Sequence, residues 1–424
     1  MKRRIKKIIG LIVAGLFICT LYSPTVRGII DLPPQINIFR GEDRGYMLPL
    51  SSLFAVESPE NDVIEIADDA SGRTQFIRPL QQGVARLRVK LFGVVPIKKV
   101  EVSVGTPREV VPCGHTIGVS LKTKGALIVG VSEIMDGMGE RRCPAIEAGL
   151  MPGDVIEKVN GEIVKDADHL LTVVADAKGE PIAITYNRQG ARHETVINPI
   201  QDSYDDKYRL GLWVRDSTAG VGTLTFVDVD NARFGALGHP ITDIDTGILL
   251  EAENGRIQYS RVVDVVQGQK GQPGELKGAF ISSGAGIGNI RANTDYGLFG
   301  TVDRSVMDTF KDIGEVEVAH PYEVHEGAAS ILTTVGDEGV QEFSVSITHI
   351  YQQHHPSAKG MVVRVTDPKL IERTGGIVQG MSGSPILQDG RLIGAVTHVF
   401  VNDPLKGYGV FLEWMLDEAE GIDD

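Results

Sequence analysis

In the hexapeptide Gly380-Met381-Ser382-Gly383-Ser384-Pro385 a serine stands between two glycines. An acyl-transfer nucleophile needs a hydroxyl on a tight turn and two backbone N–H groups aimed at the oxyanion that forms; glycine gives the backbone freedom for such a turn. Read this way, Ser382 is the nucleophile and the amides of Gly380 and Ser382 form the oxyanion hole, as in chymotrypsin-like peptidases. Ser384, ahead of Pro385, reads as a turn residue. The nucleophile also requires a general base. His239 in GALGHPITD qualifies, because Ala236 and Gly238 leave space around its ring. His398, on the apolar run LIGAVTHVF that follows the serine, is a second choice better suited to the cleft wall. Chymotrypsin-like spacing would put the orienting acid before the serine, at Asp295 or Asp303 in TDYGLFGTVDRS.

Other chemistries find less support. His354 and His355, with His349 nearby, have no carboxylate or cysteine at ligand spacing, so no metal site is expected. The run SSGAGIGNI, residues 282–290, lacks the Lys-Ser/Thr pair of a phosphate-binding loop, and no cofactor is expected. A formal charge of −14 argues against nucleic acid as a partner.

These side chains must be held by strands. The chain has 424 residues with 50 glycines and 20 prolines, which implies two to four domains and a mainly β fold. Period-two alternation in VIEIAD, ARLRVKLFGVV and IKKVEVSV predicts a small β-domain over 26–110. Over 111–200, AIEAGLMPGDVIEKVNGEIV predicts a short helix ending at Gly149, a turn at Pro152-Gly153, a strand through Ile156 and Val159, and a hairpin turn at Asn160-Gly161. Asp166 is placed to cap the next helix, with His169, Leu170 and Val173 near its apolar side. The glycine-rich, strand-like remainder, 201–424, would carry the peptidase chemistry. At the start, MKRRIKK precedes the apolar run 8–22, which reads as a signal or membrane anchor over 1–25 and places the rest extracytoplasmically. Cys19 falls in that run; an oxidising compartment leaves a Cys113–Cys143 disulfide open.

Two resemblances follow from these motifs. AGLMPGDVIEKVNG resembles the central signature of PDZ domains attached to bacterial extracytoplasmic proteases. That likeness implies a site where a peptide C-terminus adds as a strand, its carboxylate held by loop amides that by position are Thr116, Ile117, Gly118 and Val119, although the loop departs from the glycine-leucine-glycine-phenylalanine form. The basic-apolar N-terminus, KLFGVVPIKKVEV, GALGHPITD, RVTDPKLI and QGMSGSPI together resemble the stage IV sporulation protein B peptidases of endospore-forming bacteria. This resemblance implies a chymotrypsin-like double β-barrel exported into the space between the forespore membranes. It implies as substrates the chain itself and a membrane-protein regulator of an intramembrane protease, whose release activates a late mother-cell sigma factor. It also implies Ser382 as nucleophile, His239 as base and Asp367 in RVTDPK as the acid, whereas Asp before Pro is by itself an ordinary turn starter. Two other readings are a PDZ adaptor without activity and a high-temperature-requirement type of quality-control protease, in which the PDZ usually follows the protease rather than preceding it.

Overall fold

The computed structural model describes residues 32, 35–39, 46–48, 54–60, 62–68, 75–281, 286–351, 353 and 356–423. The expected anchor 1–25, Cys19, and His354 with His355 lie outside them. Among the described residues no helix is long and apolar enough to cross a membrane. Two compact units are present, 1–108 with 352–355 and 109–351 with 356–424.

In the first unit, strands Gln35–Phe39, Phe54–Glu57, Gly83–Leu91 and Val95–Gly105 form one sheet, and Tyr46–Leu48, Ile64–Asp68 and Gln75–Pro79 form another. Alternation sets the faces: Ala85, Leu87 and Val89 are buried, while Arg86 and Arg88 between them are exposed. Gly83–Leu91 and Val95–Gly105 make a hairpin, and Gln35–Phe39 runs parallel to the second of these strands, Gln35 opposite Glu101.

The second unit holds two six-stranded barrels. Thr116–Val131, Ala252–Val266, Gly288–Thr294, Gly297–Val302, Arg233–Ala236 and Leu212–Asp228 pair in that order, and the last pairs back onto the first to close the ring. Its core includes Ile117, Val119, Phe234 and Ile257. The other barrel closes through Gly327–Thr333, Gln341–Ile350, Met361–Val365, Asp403–Phe411, Arg391–Phe400 and Pro385–Gln388, round a core with Ile331, Val363 and Ile386. The C-terminal helix Leu412–Glu420 buries Leu412, Met415, Leu416 and Ala419, a three-and-four spacing that gives it one apolar face. That face joins a cluster with Phe226 and Phe299 of the first barrel and Leu392 and Val410 of the second.

The PDZ domain grows out of the first barrel. Thr116–Val131 and Leu212–Asp228 are each long enough to serve two cores: their barrel ends pair at Thr116–Thr223, and their far ends at Leu127–Arg215 and Val131–Leu212. Between them lie the helix Pro144–Glu147, the strand Val155–Val159, the helix Ala167–Ala177 and the hairpin of Ile182–Arg188 with Ala191–Ile197, packed on Ala126, Ile156, Leu170, Val174 and Ile184. The local sequence rules operate here as expected. Asn160 and Gly161 both take positive φ in the turn between Val155–Val159 and Glu162–Ile163. The Asp166 carboxylate accepts the N–H of His169 at 2.7 Å and caps its helix, whose buried residues are Leu170 and Val174. The boundaries expected at 111–200 and 201–424 need correcting: the first barrel already takes up the 116–123 end of Thr116–Val131, and the PDZ is an insertion between its strands rather than a module ahead of it. Cys113 and Cys143 are free thiols, one in the barrel core and the other in the PDZ core, so the disulfide does not form.

Candidate active site

The loop that carries Ser382 is tied down from both barrels. It follows the helix Pro368–Thr374, which ends at Gly375 in the left-handed conformation. Gln379 bonds to Gly274 and Leu276 through its backbone. From the first barrel, the fully buried Thr223 donates its hydroxyl to Gly380 O at 2.8 Å and its N–H to Ser382 O at 2.9 Å, and Thr225 donates its hydroxyl to Gly383 O at 2.8 Å. With its carbonyls held this way, the loop leaves two amides unused: among the described residues the N–H groups of Gly380 and Ser382 donate to no acceptor. Gly383 has φ +95°, and a Cβ there would come within 2.1 Å of Thr223 O and 2.5 Å of Leu237 N, so only glycine fits. The Ser382 hydroxyl donates to Thr397 O at 2.6 Å.

His239 shares a cleft of about 460 Å³ with Ser382, Gly380 and His398. Ahead of it Gly238 N–H closes onto Ala236 O at 2.9 Å round Leu237, whose φ of +70° is strained for a branched residue. Gly222 leaves room for the Leu237 side chain. His239 Nδ1 lies 2.8 Å from Pro240 O. A carbonyl only accepts, so Nδ1 carries the proton and Nε2 is the free base nitrogen. The peptide group that supplies this carbonyl is itself held, because Ile241 N–H donates to Asn293 Oδ1 at 2.9 Å while Asn293 Nδ2 donates to Ile241 O at 2.8 Å and Leu250 O at 2.9 Å. Burial pushes the His239 imidazole below the ordinary histidine range, and the Pro240 carbonyl partly opposes this. The His398 ring is centred 4.8 Å from that of His239; desolvation, the neighbouring His239 and Lys359 lower its pKa to about 4.

The structure does not bring Asp367 to this cleft. Its carboxylate is the N-cap of the helix Pro368–Thr374, accepting from Lys369 N at 2.9 Å and Leu370 N at 3.3 Å, and Pro368 occupies the first helical position. The expectation of an acid beside His239 is therefore corrected: the Pro240 carbonyl stands at Nδ1, and Asp367 supports the helix that delivers the loop. Asp303 pairs with Arg256 at 2.7 Å, and Asp295 lies in the turn between Gly288–Thr294 and Gly297–Val302; neither lines the cleft.

Thr116, Ile117, Gly118 and Val119 also need correcting. They lie in a strand, paired on one edge to 220–223 and, from Ile117 to Val119, on the other to 257–259, and their amides form no loop. Gly118 is needed there because the Phe280 ring covers it, and a Cβ at this position would come within 2.2 Å of the ring. The corresponding feature of the PDZ domain comes some ninety residues later. Leu210-Gly211-Leu212 leads into the stretch 212–215 that pairs with 127–131, and among the described residues the N–H groups of Leu210 and Gly211 donate to no acceptor. That stretch runs beside the helix Ala167–Ala177: Asp216 accepts the Ala167 N–H at 2.9 Å, and Tyr208 packs at Gly179 just past its end. An apolar-glycine-apolar triplet before a strand is the signal that would have found it. Thr223, Thr225, Pro240 and Asn293 carry no such local mark.

Residues 206–416 match the family described as SpoIVB peptidase S55. The probable periplasmic serine endoprotease, DegP-like, of Brucella suis biovar 1 (strain 1330) is 32% identical over 147 residues, 32% of this chain and 26% of its own length. The chain spans 17–26% of the length of the curated relatives it matches first. Among solved structures, the PDZ domain of the SdrC-like protein from Listeria monocytogenes aligns with 22% of this chain and 87% of its own at 16% identity and TM-score 0.18. The HtrA-type protease AlgW with decapeptide aligns with 49% of this chain and 54% of its own at 10% identity and TM-score 0.29. Through residues 206–416, the chain belongs to the SpoIVB peptidase S55 family.

Proposed function

We propose that this chain is an extracytoplasmic serine endopeptidase. The observation that carries the reading is the pair of undonated N–H groups at Gly380 and Ser382, opening on the cleft that also holds His239. In the proposed reaction the Ser382 hydroxyl leaves Thr397 O, gives its proton to His239 Nε2 and attacks the peptide carbonyl. The two amides bind the oxyanion, and His239 returns the proton to the leaving amine. Water then releases the acyl group by the same base. Throughout, Nδ1–H stays on Pro240 O, which fixes the tautomer and steadies the imidazolium with a carbonyl dipole. Pro273, Ile377, Val378, Val399 and Val401 line the cleft, which favours an apolar side chain beside the scissile bond. Past Gly380 a groove continues between 219–221 and 275–280, room for an extended peptide.

The motifs shared with the sporulation peptidases support the finer reading: the chain cuts itself after its N-terminal anchor, then cuts a membrane-protein regulator of an intramembrane protease in the forespore intermembrane space. Peptide C-termini would add to the PDZ at the edge of 212–216, their carboxylate at Leu210 and Gly211. A fluorophosphonate probe tests the chemistry directly. Intact mass should show one adduct, mapping to the peptide that contains Ser382 and missing from Ser382→Ala; an adduct elsewhere, or none on an enzyme that hydrolyses peptides, would overturn the assignment.

The pH profile gives a second check. With its pKa lowered by burial, His239 stays neutral and able to accept a proton as pH falls through the ordinary histidine value near 6.5. The acid limb of kcat/KM is expected below pH 6.5, and a limb above it would show that burial does not set the base.

A further inference from the structure

We propose that the tip of the hairpin formed by Gly83–Leu91 and Val95–Gly105 docks on an anionic bilayer, setting residues 92–97 among the lipid headgroups. Phe92-Gly93-Val94-Val95-Pro96-Ile97 is a run of six exposed residues, with Phe92 69%, Val94 77%, Val95 54% and Ile97 46% exposed. Consecutive apolar residues left in water on a strand-edge turn gain nothing for folding and promote association, so their presence calls for a surface that covers them.

Charge says which surface. Residues 83–100 hold five cations, Arg86, Arg88, Lys90, Lys98 and Lys99, and no acid, in a chain of net charge −14. Arg86 faces Glu101 across the hairpin and Lys90 pairs with Glu57, but Arg88 stands directly opposite Lys99, both exposed. Like charges opposite each other on a sheet repel, and an anionic layer that attracts both offsets that repulsion.

Topology says where that surface lies. Gln35–Phe39 runs parallel to Val95–Gly105 and starts at the level of Glu101, so the chain before Gln35 comes from the tip side. Lys98 donates to the Leu32 carbonyl, which places Leu32 next to the tip. From residue 22, the end of the apolar run, to Leu32 is ten residue steps, at most about 35 Å of chain. The inference thus rests on the reading of 8–22 as a membrane segment: the tip stands on the side from which that segment arrives. Each cation brought to the headgroups strengthens docking about fivefold.

The test uses the full chain in nanodiscs, with Val94→Cys carrying an environment-sensitive fluorophore in a Cys19→Ser, Ser382→Ala background, the last change so that the chain cannot cut itself from its anchor. Cys113 and Cys143 are buried. On phosphatidylglycerol discs the emission should shift to the blue and be quenched by doxyl-labelled lipid, at least fivefold more than on phosphatidylcholine discs. Arg88→Glu with Lys99→Glu should remove most of that difference, and a control probe at Gln82→Cys, exposed at the opposite end of the same strand, should not respond. A chain that stays on the discs with a silent tip probe overturns the proposal alone. A chain that leaves the discs overturns the membrane-segment reading and the proposal together. A shift that follows protein concentration rather than lipid charge assigns the tip to a second copy and also overturns it.

Discussion

Ser382→Ala and His239→Ala should each lower kcat for peptide hydrolysis by about 10⁴–10⁶, and the double variant should fall no further than the worse single. The groups act as one unit, because the hydroxyl is a poor nucleophile without a base and the base has no task without the hydroxyl. What survives comes from the oxyanion amides of Gly380 and Ser382 and from binding, roughly 10³–10⁴ over water. The fold should hardly notice the serine change, since the Ser382 hydroxyl makes one hydrogen bond, to Thr397 O, worth about 1 kcal/mol. Steady-state kinetics beside thermal unfolding would measure both. If either single variant keeps activity within tenfold of the parent, or if the two losses multiply, the nucleophile and base have been misidentified.

The parts of this site legible in the sequence are those whose chemistry is local. Ser382 announces itself through Gly380 and Gly383, whose positive φ values the turn requires. His239 does so through its small neighbours, and Asp166 through its place before an amphipathic helix. The PDZ loop is misplaced by sequence reasoning because Thr116–Val131 is one strand shared by two cores, and a local pattern carries no mark of where one core gives way to the other. The strand that completes the PDZ edge, 212–216, lies some ninety residues on and is identified only by its pairing with 127–131. Thr223, Thr225 and Asn293 act across 50–160 residues through ordinary strand side chains, so nothing near them in sequence predicts their partners. At Asp367 the local reading, Asp before Pro as a turn starter, also stops short: the pair opens a helix, with Asp367 at its N-cap and Pro368 in its first turn.

Two substitutions should therefore contrast sharply. Asn293→Ala should lower kcat about 100-fold with KM within twofold, whereas Asp367→Asn should change kcat by less than about threefold. Asn293 fixes the peptide group whose carbonyl receives His239 Nδ1–H; without it the group can rotate, and the base loses its tautomer and aim. Substrate contacts stay as they were, so the loss falls on kcat. Because the Pro240 carbonyl raises the His239 pKa against burial, freeing it should also move the acid limb of the rate profile to lower pH. Loss of three side-chain hydrogen bonds costs stability as well, about 1–3 kcal/mol, but a merely structural defect would not move that limb. At Asp367 the side chain accepts two backbone N–H bonds as a helix cap and a longer third from Ser344 N at 3.4 Å; asparagine caps a helix as well as aspartate does and gives up only that third bond. Were Asp367 instead the acid that orients the base, asparagine would hold the wrong tautomer and cost about 10⁴ in kcat. A single kinetic comparison of the two variants therefore decides whether a carboxylate or a clamped backbone carbonyl stands behind His239.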